Sequence, residues 1–340
     1  MKNKDLLVSS YDYNLPKELI ASTPAIPADS AKLLVYERNT KKITDAIFRD
    51  IIDFIPKETA IIFNNTKVIK ARIFGKKSSG GKVELLVIKP LDEGILAMVK
   101  GRVKVGTKLI FQNGLSAVVK ALNSDGSRVV EFFLDEKKID FNKLVLILEK
   151  IGHIPLPPYM NREDTKEDER YYQSIFAKEA GSVAAPTASL HFTPSLLEKL
   201  KSKFDTYYLT LHVGAGTFKP VEVEDIREHK MHSEFFKIPR DVAKVIDSDR
   251  KILAVGTTAT RTIEEYIRSK RLSGQSSIFL HPLNPAKRVD YLLTNFHLPK
   301  STLLMLVSSF IGREETLRLY NYAIDKKYRF YSYGDAMLII

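Results

Sequence analysis

An α/β fold with a small antiparallel β-barrel set into it is what this chain predicts, and three observations predict it. Between Arg72 and Lys150, short apolar runs recur between Gly-marked turns, the pattern of a small sandwich or barrel. After Gly152, strands alternate with helices that carry start signals. Near the N-terminus, LLVYERNTKKI reads as a pair of strands separated by the β-rich stretch from the rest of the α/β pattern. The main domain is therefore expected to be discontinuous, residues 1–66 and 151–340, around an inserted domain of residues 67–150. A length of 340 residues suits two domains at roughly 100–200 residues each.

The inserted stretch reads as six strands: VIKARIFG, KVELLVIKP, ILAMVKG, TKLIF, LSAVVKAL and SRVVEFFL. Turn signals KKSSGG, LDEG, QNG and NSDG separate them, and closure into a barrel would remove the exposed strand edges. Further on, Thr193-Pro194 opens one helix and Pro239 another, since proline suits the first helical turn. TYYLTLHVG, KILAVG, SSIFLH and YLLTNF are the strands expected between helices. The polar run Asn161 to Arg170 reads as a flexible loop.

Composition narrows the chemistry. With 44% hydrophobic and 28% charged residues the chain can bury a core. It has no cysteine, which excludes disulfides, thiolate nucleophiles, iron–sulfur clusters and cysteine-based zinc sites. MKNKDLLVSSYDYNLPKEL lacks an apolar leader segment, so the expected address is the cytoplasm. The most apolar stretch, Ser301 to Ile311, is far shorter than the ~20 residues of a membrane span. A formal charge of +12 invites an acidic partner, and nucleic acid is the commonest. Half of that surplus lies between Arg72 and Lys150, where 15 Lys and Arg face 9 Asp and Glu.

Four segments could carry chemistry. His212-Val-Gly214-Ala-Gly216 follows a strand, and its two glycines would let backbone approach a ligand, though Lys219 takes the place of the third glycine of a dinucleotide fingerprint. Gly256-Thr257-Thr258-Ala-Thr260-Arg261 passes from a strand into a helix, where free amides, hydroxyls and a guanidinium suit an anion. Glu228-His229-Lys-Met-His232-Ser-Glu234 offers a His–carboxylate acid–base pair; as a metal site it lacks a third ligand motif, and a solvated charged loop is the bland alternative. Asn295-Phe-His297 follows a fourth strand. If the strands run parallel, His212, Thr257 and Asn295 share the carboxyl edge where α/β sheets bind ligands. Tyr331-Ser-Tyr333-Gly334-Asp335 could stack and hydrogen-bond a base.

Together these segments closely resemble the S-adenosylmethionine:tRNA ribosyltransferase-isomerase family of queuosine biosynthesis. The resemblance rests on LPKELIASTPAIPADSAKLLV, FNNTKVIKARIFG, SVAAPTASLHFT, LHVGAGTFKPV, EHKMHSEFF, AVGTTATRT, LLTNFHLPKSTLLMLVSSF and RFYSYGDAMLI, in order along the chain. Where the family usually reads Asn-Asp-Thr-Arg, this chain has Asn64-Asn65-Thr66-Lys67. The resemblance implies a metal-free monomer with a β-barrel inserted in an α/β domain. It implies transfer and isomerisation of the ribosyl part of S-adenosylmethionine, a co-substrate, onto 7-aminomethyl-7-deazaguanine at the wobble position of tRNA. Epoxyqueuosine would form, with adenine and methionine released. Such a site needs a base for the sulfonium-acidified C5′ hydrogen, an acid for adenine and a clamp for the methionine carboxylate. His212 or His232 is the expected base and Glu234 or Asp335 its partner or the acid. Arg261, Thr257 and Thr258 are the expected clamp, Gly214 and Gly216 the close-approach glycines, and Asn295 and His297 the nucleoside contacts. An S-adenosylmethionine-dependent methyltransferase and a non-catalytic RNA-binding protein are the alternatives.

Overall fold

The computed structural model describes residues 4–214, 216 and 221–340. Along the chain, β1 (Lys32–Glu37) and β2 (Lys42–Ile47) form a hairpin, followed by β3 (Ala60–Asn64) and the short β4 (Thr66–Val68). Next come β5 (Arg72–Lys77), β6 (Lys82–Pro90), β7 (Ile95–Lys100), β8 (Lys108–Ile110), β9 (Leu115–Leu122), β10 (Ser127–Leu134) and β11 (Lys137–Ile139). Helices α1 (Phe141–Ile151) and α2 (Asp168–Tyr171) lead to β12 (Glu179–Ser182), α3 (Pro194–Lys203), β13 (Thr206–Leu211) and β14 (Glu234–Lys237). The remainder is α4 (Arg240–Asp247), β15 (Ile252–Val255), α5 (Thr257–Ser269), β16 (Ser273–Ser276), β17 (Tyr291–Asn295), α6 (Thr302–Ile311), α7 (Arg313–Asp325) and β18 (Ala336–Ile339).

One nine-stranded sheet runs β16-β14-β13-β3-β15-β17-β18-β1-β2. Its four central strands, β13, β3, β15 and β17, are mutually parallel. Strand β18 lies antiparallel to β17, pairing Asn295 with Ala336, which brings the start of β18 to the carboxyl edge of the parallel set. Both faces are covered, which is why β3 and β15 are apolar without alternation. Ile61, Phe63, Leu253 and Val255 face α3 on one side. Ile62, Ile252 and Ala254 face α4 and α5 on the other, and farther along it Leu292 and Met337 meet α6 and α7.

The second sheet closes. Strands β10-β7-β6-β5-β8-β9 pair in that order and β9 pairs back to β10, a six-stranded antiparallel barrel with β11 appended to β10. Alternate residues fill its interior: Val83, Leu85 and Val87 from β6, Leu115, Ala117 and Val119 from β9. Helix α1 starts at Asp140, whose carboxylate accepts from Lys143 N at 2.8 Å, and packs Leu144, Ile147 and Leu148 against this core. The chain enters and leaves the barrel side by side, with Arg72 and His153 exchanging backbone hydrogen bonds of 3.3 and 2.8 Å. Gly152 fits between them because a Cβ there would lie 2.0 Å from Lys70 O.

Two expectations need correction. SSIFLH is not a strand: the ladder ends at Ser276, and Ile278 and Leu280 enter the core without strand partners. The Ile278 carbonyl accepts from Arg261 Nε at 3.3 Å, so a guanidinium rather than a neighbouring strand satisfies it. Nor is the polar run from Asn161 to Arg170 a flexible loop. Asp168 is buried, clamped by both terminal nitrogens of Arg162 at 2.6 and 2.7 Å, and also accepts from Thr165 N and Tyr333 Oη. Burial alone would raise the Asp168 pKa; the Arg162 and Thr165 hydrogen bonds outweigh it and hold the carboxyl below its usual value. That stability is present above the unfolded pKa near ~4 and is lost as pH falls through the depressed folded value. Arg162→Met is expected to cost roughly 2–3 kcal/mol, less than a fully buried pair because the guanidinium is partly wet. An unchanged urea midpoint would refute this. Among the described residues no helix is long and apolar enough to cross a membrane.

Candidate active site

The carboxyl ends of β13, β3, β15 and β17 meet in one region, and side chains at three of them converge there. A cleft open at its mouth is lined by Thr257 and Thr258, by Asn295 and His297, and by Tyr331 and Ser332 from the segment before β18. Its remaining wall is Ala184-Ala185-Pro186-Thr187-Ala188, with Tyr172 and Val213. Small side chains along 184–188 let that backbone approach whatever the cleft holds.

Each lining group has a local reason for its place. Gly256, at φ +89°, turns β15 into α5, a conformation other residues resist, so the chain reverses within one residue. The first amides of α5, unpaired within the helix, then lie at Thr257 and Thr258 on the cleft wall. Thr258 Oγ1 accepts from Asn64 Nδ2 at 3.1 Å. Asn64 is fully buried at the end of β3; its Nδ2 also donates to Leu211 O at 3.0 Å, and its Oδ1 accepts from Leu211 N at 3.0 Å and Thr66 N at 3.1 Å. One amide therefore ties β3, β13, β4 and α5 together beneath the cleft. His297 Nε2 lies 2.8 Å from Thr294 Oγ1, its amide donates to Tyr320 Oη at 3.1 Å, and its carbonyl accepts from the Tyr13 hydroxyl. Burial lowers the His297 pKa to about 3, so this ring works as a neutral hydrogen-bonding group.

His212 sits beside this cleft, not in its wall. Its neighbour Val213 lines the cleft, while the His212 ring lies between the backbone of Gly181 and the Phe235 ring, whose centroid is 5.8 Å away. Nδ1 is 2.9 Å from Thr66 Oγ1, which in turn is 2.8 Å from Ser182 Oγ. Val213 N donates to that serine at 2.7 Å. Burial lowers the His212 pKa, with the Glu179 charge opposing, so the ring is neutral at pH 7.

The other expected site residues fall into separate clusters. Glu234 and Arg261 form a buried ion pair; the other Glu234 oxygen accepts from Gly214 N at 2.9 Å. Arg261 is thus committed to protein partners and does not line the cleft as a substrate clamp, although its Nη2 lacks a partner among the described residues. His232 is exposed and lies against Gly216, where a Cβ would come within 2.2 Å of its ring, so any side chain there would displace the imidazole. His229 and His232 follow a short helical turn at Ile226–Glu228 instead of sharing a helix face. Among the described residues no group of three His, Asp or Glu could hold a metal. Asp335 is also structural in its contacts: it accepts from Lys32 N at 2.9 Å and Arg329 N at 2.7 Å, fixing the entry to β18, and is no free acid. Ala215 and Thr217 to Pro220 lie outside the described residues.

Sequence reasoning missed Asn64, Thr66, Ser182 and His191. The family-like strings FNNTKV and SVAAPTASLHFT contain all four, yet no spacing rule joins residues more than a hundred positions apart.

The cleft lies at the carboxyl edge of the parallel strands of an α/β sheet, the place where enzymes of this fold class hold small substrates. A family model described as "Queuosine biosynthesis protein" matches residues 8–339. An S-adenosylmethionine:tRNA ribosyltransferase-isomerase of Aliarcobacter butzleri is 62% identical over 336 residues, 98% of this chain and 99% of that one. One of Campylobacter jejuni (strain RM1221) is 58% identical over 342 residues, 99% of this chain and 100% of its own. The crystal structure of an S-adenosylmethionine tRNA ribosyltransferase from Thermotoga maritima superposes with a TM-score of 0.55 at 34% identity, over 97% of this chain and 100% of that one. The chain belongs to the queuosine biosynthesis protein family.

Proposed function

We propose that the cleft at the carboxyl edge of β3, β15 and β17 holds S-adenosylmethionine, and that its ribosyl part is transferred there and isomerised onto 7-aminomethyl-7-deazaguanine at the tRNA wobble position. The observation that carries this is the convergence of Thr257, Thr258, Asn295 and His297 on one cleft, in a chain of this family. The α5 amides with Thr257 and Thr258 take the methionine carboxylate, favoured by the helix's positive end. Asn295 and His297 contact the nucleoside. His212 is the base: Thr66 Oγ1 donates to the Glu179 carbonyl at 3.4 Å and accepts from His212 Nδ1–H, which leaves Nε2 unprotonated. It takes the C5′ proton beside the sulfonium; elimination expels adenine, the substrate amine adds, and epoxide closure releases methionine.

Incubation with S-adenosylmethionine and tRNA bearing the aminomethyl-deazaguanine, followed by nucleoside mass analysis, tests the reading. Epoxyqueuosine with free adenine is expected. S-Adenosylhomocysteine would mean methyl transfer, and tRNA retention without turnover a binding protein.

The barrel's charge supports a role in holding tRNA phosphates, and residues 67–150 are proposed as the inserted domain that does so. Replacing exposed Arg102, Lys104 and Lys108 with alanine is expected to flatten the slope of log affinity against log salt by about 2–3. An unchanged slope would move the RNA contact elsewhere. No membrane partner is proposed, and the monomeric, cytoplasmic protein is the working state.

A further inference from the structure

Asn295 ends β17 in the cleft wall, 2% exposed, and its hydrogen bonds fix which way its amide points. One side-chain atom lies 3.1 Å from the Tyr331 carbonyl and 3.2 Å from His191 Nε2. A carbonyl oxygen can only accept, so that atom is Nδ2, the donor. His191 Nε2 must then accept as well, which places the ring's proton on Nδ1. The His191 ring is buried against Phe48, its centroid 4.8 Å away. Burial and the nearby Arg329 charge, opposed by the Ala28 backbone, lower its pKa to about 4, so it stays neutral at working pH.

Tyr331 is equally committed. Its backbone has φ +78°, an uncommon conformation for a bulky residue, and its carbonyl also accepts from Gly334 N at 3.0 Å. Both lone pairs of that oxygen are used. The result is an amide nitrogen with two partners and an Oδ1 with none among the described residues. A buried acceptor without a partner costs about 1–3 kcal/mol, so one in the wall of a cleft calls for a donor from whatever occupies that cleft.

We propose that Asn295 Oδ1 accepts from an N–H or O–H donor of the bound nucleoside, and that His191 is a positioning residue that keeps the amide turned so that this oxygen is presented. The proposal deepens the reading of the cleft as the S-adenosylmethionine site and rests on it. A ring that could donate from Nε2 would draw the oxygen away from the ligand, so the tautomer of a residue remote from the chemistry selects the acceptor face of the site.

Calorimetric titration of the full-length protein with S-adenosylmethionine tests it. Asn295→Ala is expected to weaken binding about ten-fold. His191→Phe keeps a ring but removes the acceptor and is expected to weaken binding about five-fold. His191→Gln, whose carbonyl can take the place of Nε2, recovers most of that loss. Analogues lacking the purine amine, the 2′-hydroxyl or the 3′-hydroxyl identify the donor: the one whose penalty vanishes in Asn295→Ala is the partner. If no analogue shows that coupling, the ligand half is overturned. Nitrogen NMR of the ligand-free protein, labelled at histidine, is expected to show the His191 proton on Nδ1; a proton on Nε2 overturns the orientation half whatever binds. Wild-type protein that does not take up S-adenosylmethionine overturns the reading of the cleft itself, a result separable from the NMR outcome.

Discussion

Glu234→Ala is expected to lower unfolding free energy by about 3–5 kcal/mol, the cost of leaving a buried cation without its partner. Arg261 is 6% exposed, and its Nε already donates to Ile278 O; with Glu234 gone, no other carboxylate among the described residues pairs with it. The Gly214 amide loses its acceptor at the same time. Glu234→Gln keeps an oxygen for Gly214 but no charge for Arg261, so an intermediate loss is expected. The double variant Glu234→Met, Arg261→Met removes both charges and is expected to recover much of the stability, because a desolvated pair gains little over apolar groups of similar size. Urea unfolding followed by circular dichroism reads all three. A wild-type midpoint for Glu234→Ala would show that the pair is not the anchor of this edge.

The largest effect on turnover is expected from His212→Gln. A general base contributes typically 10²–10⁴-fold, so kcat is expected to fall by that order while S-adenosylmethionine still binds. Glutamine keeps a donor for Thr66 and a similar size, which separates lost proton transfer from lost packing. The pH dependence carries its own sign. As the proposed base His212 acts in its neutral form, so the rate is expected to fall as pH drops through the His212 pKa, and burial puts that fall below the ordinary value of ~6.5. His232→Gln, on an exposed ring, is expected to leave the acid limb in place. Normal turnover in His212→Gln would remove this histidine from the chemistry, and an acid limb lost only in His232→Gln would transfer the role there.

Local sequence carried far into the fold wherever one residue or one short period decides the outcome. The barrel strands were readable because alternation and Gly-marked turns are local, and Thr193-Pro194 and Gly256-Thr257 announced α3 and α5 in the same way. The segment from 276 to 281 misled because buried alternation at Ile278 and Leu280 looks like a strand even where no neighbour offers a ladder. The run at 161–170 misled in the opposite sense: a polar composition suggests solvent throughout, but Asp168 is buried and paired with the partly wet Arg162.

The site divides along the same line. Thr257, Thr258, Asn295 and His297 could be placed in advance, because each follows a strand and parallel strands share one carboxyl edge. Residue type alone made Arg261 a substrate clamp and Asp335 an acid; only packing revealed the carboxylate beside the first and the backbone amides around the second. By itself the sequence determined the family, the strand-and-helix alternation and the residues at the strand ends, since these depend on neighbours a few positions apart. Tertiary structure decided which polar groups remain unspent, because hydrogen bonds between Asn64 and Thr258, or Asn295 and His191, join parts of the chain that spacing cannot relate.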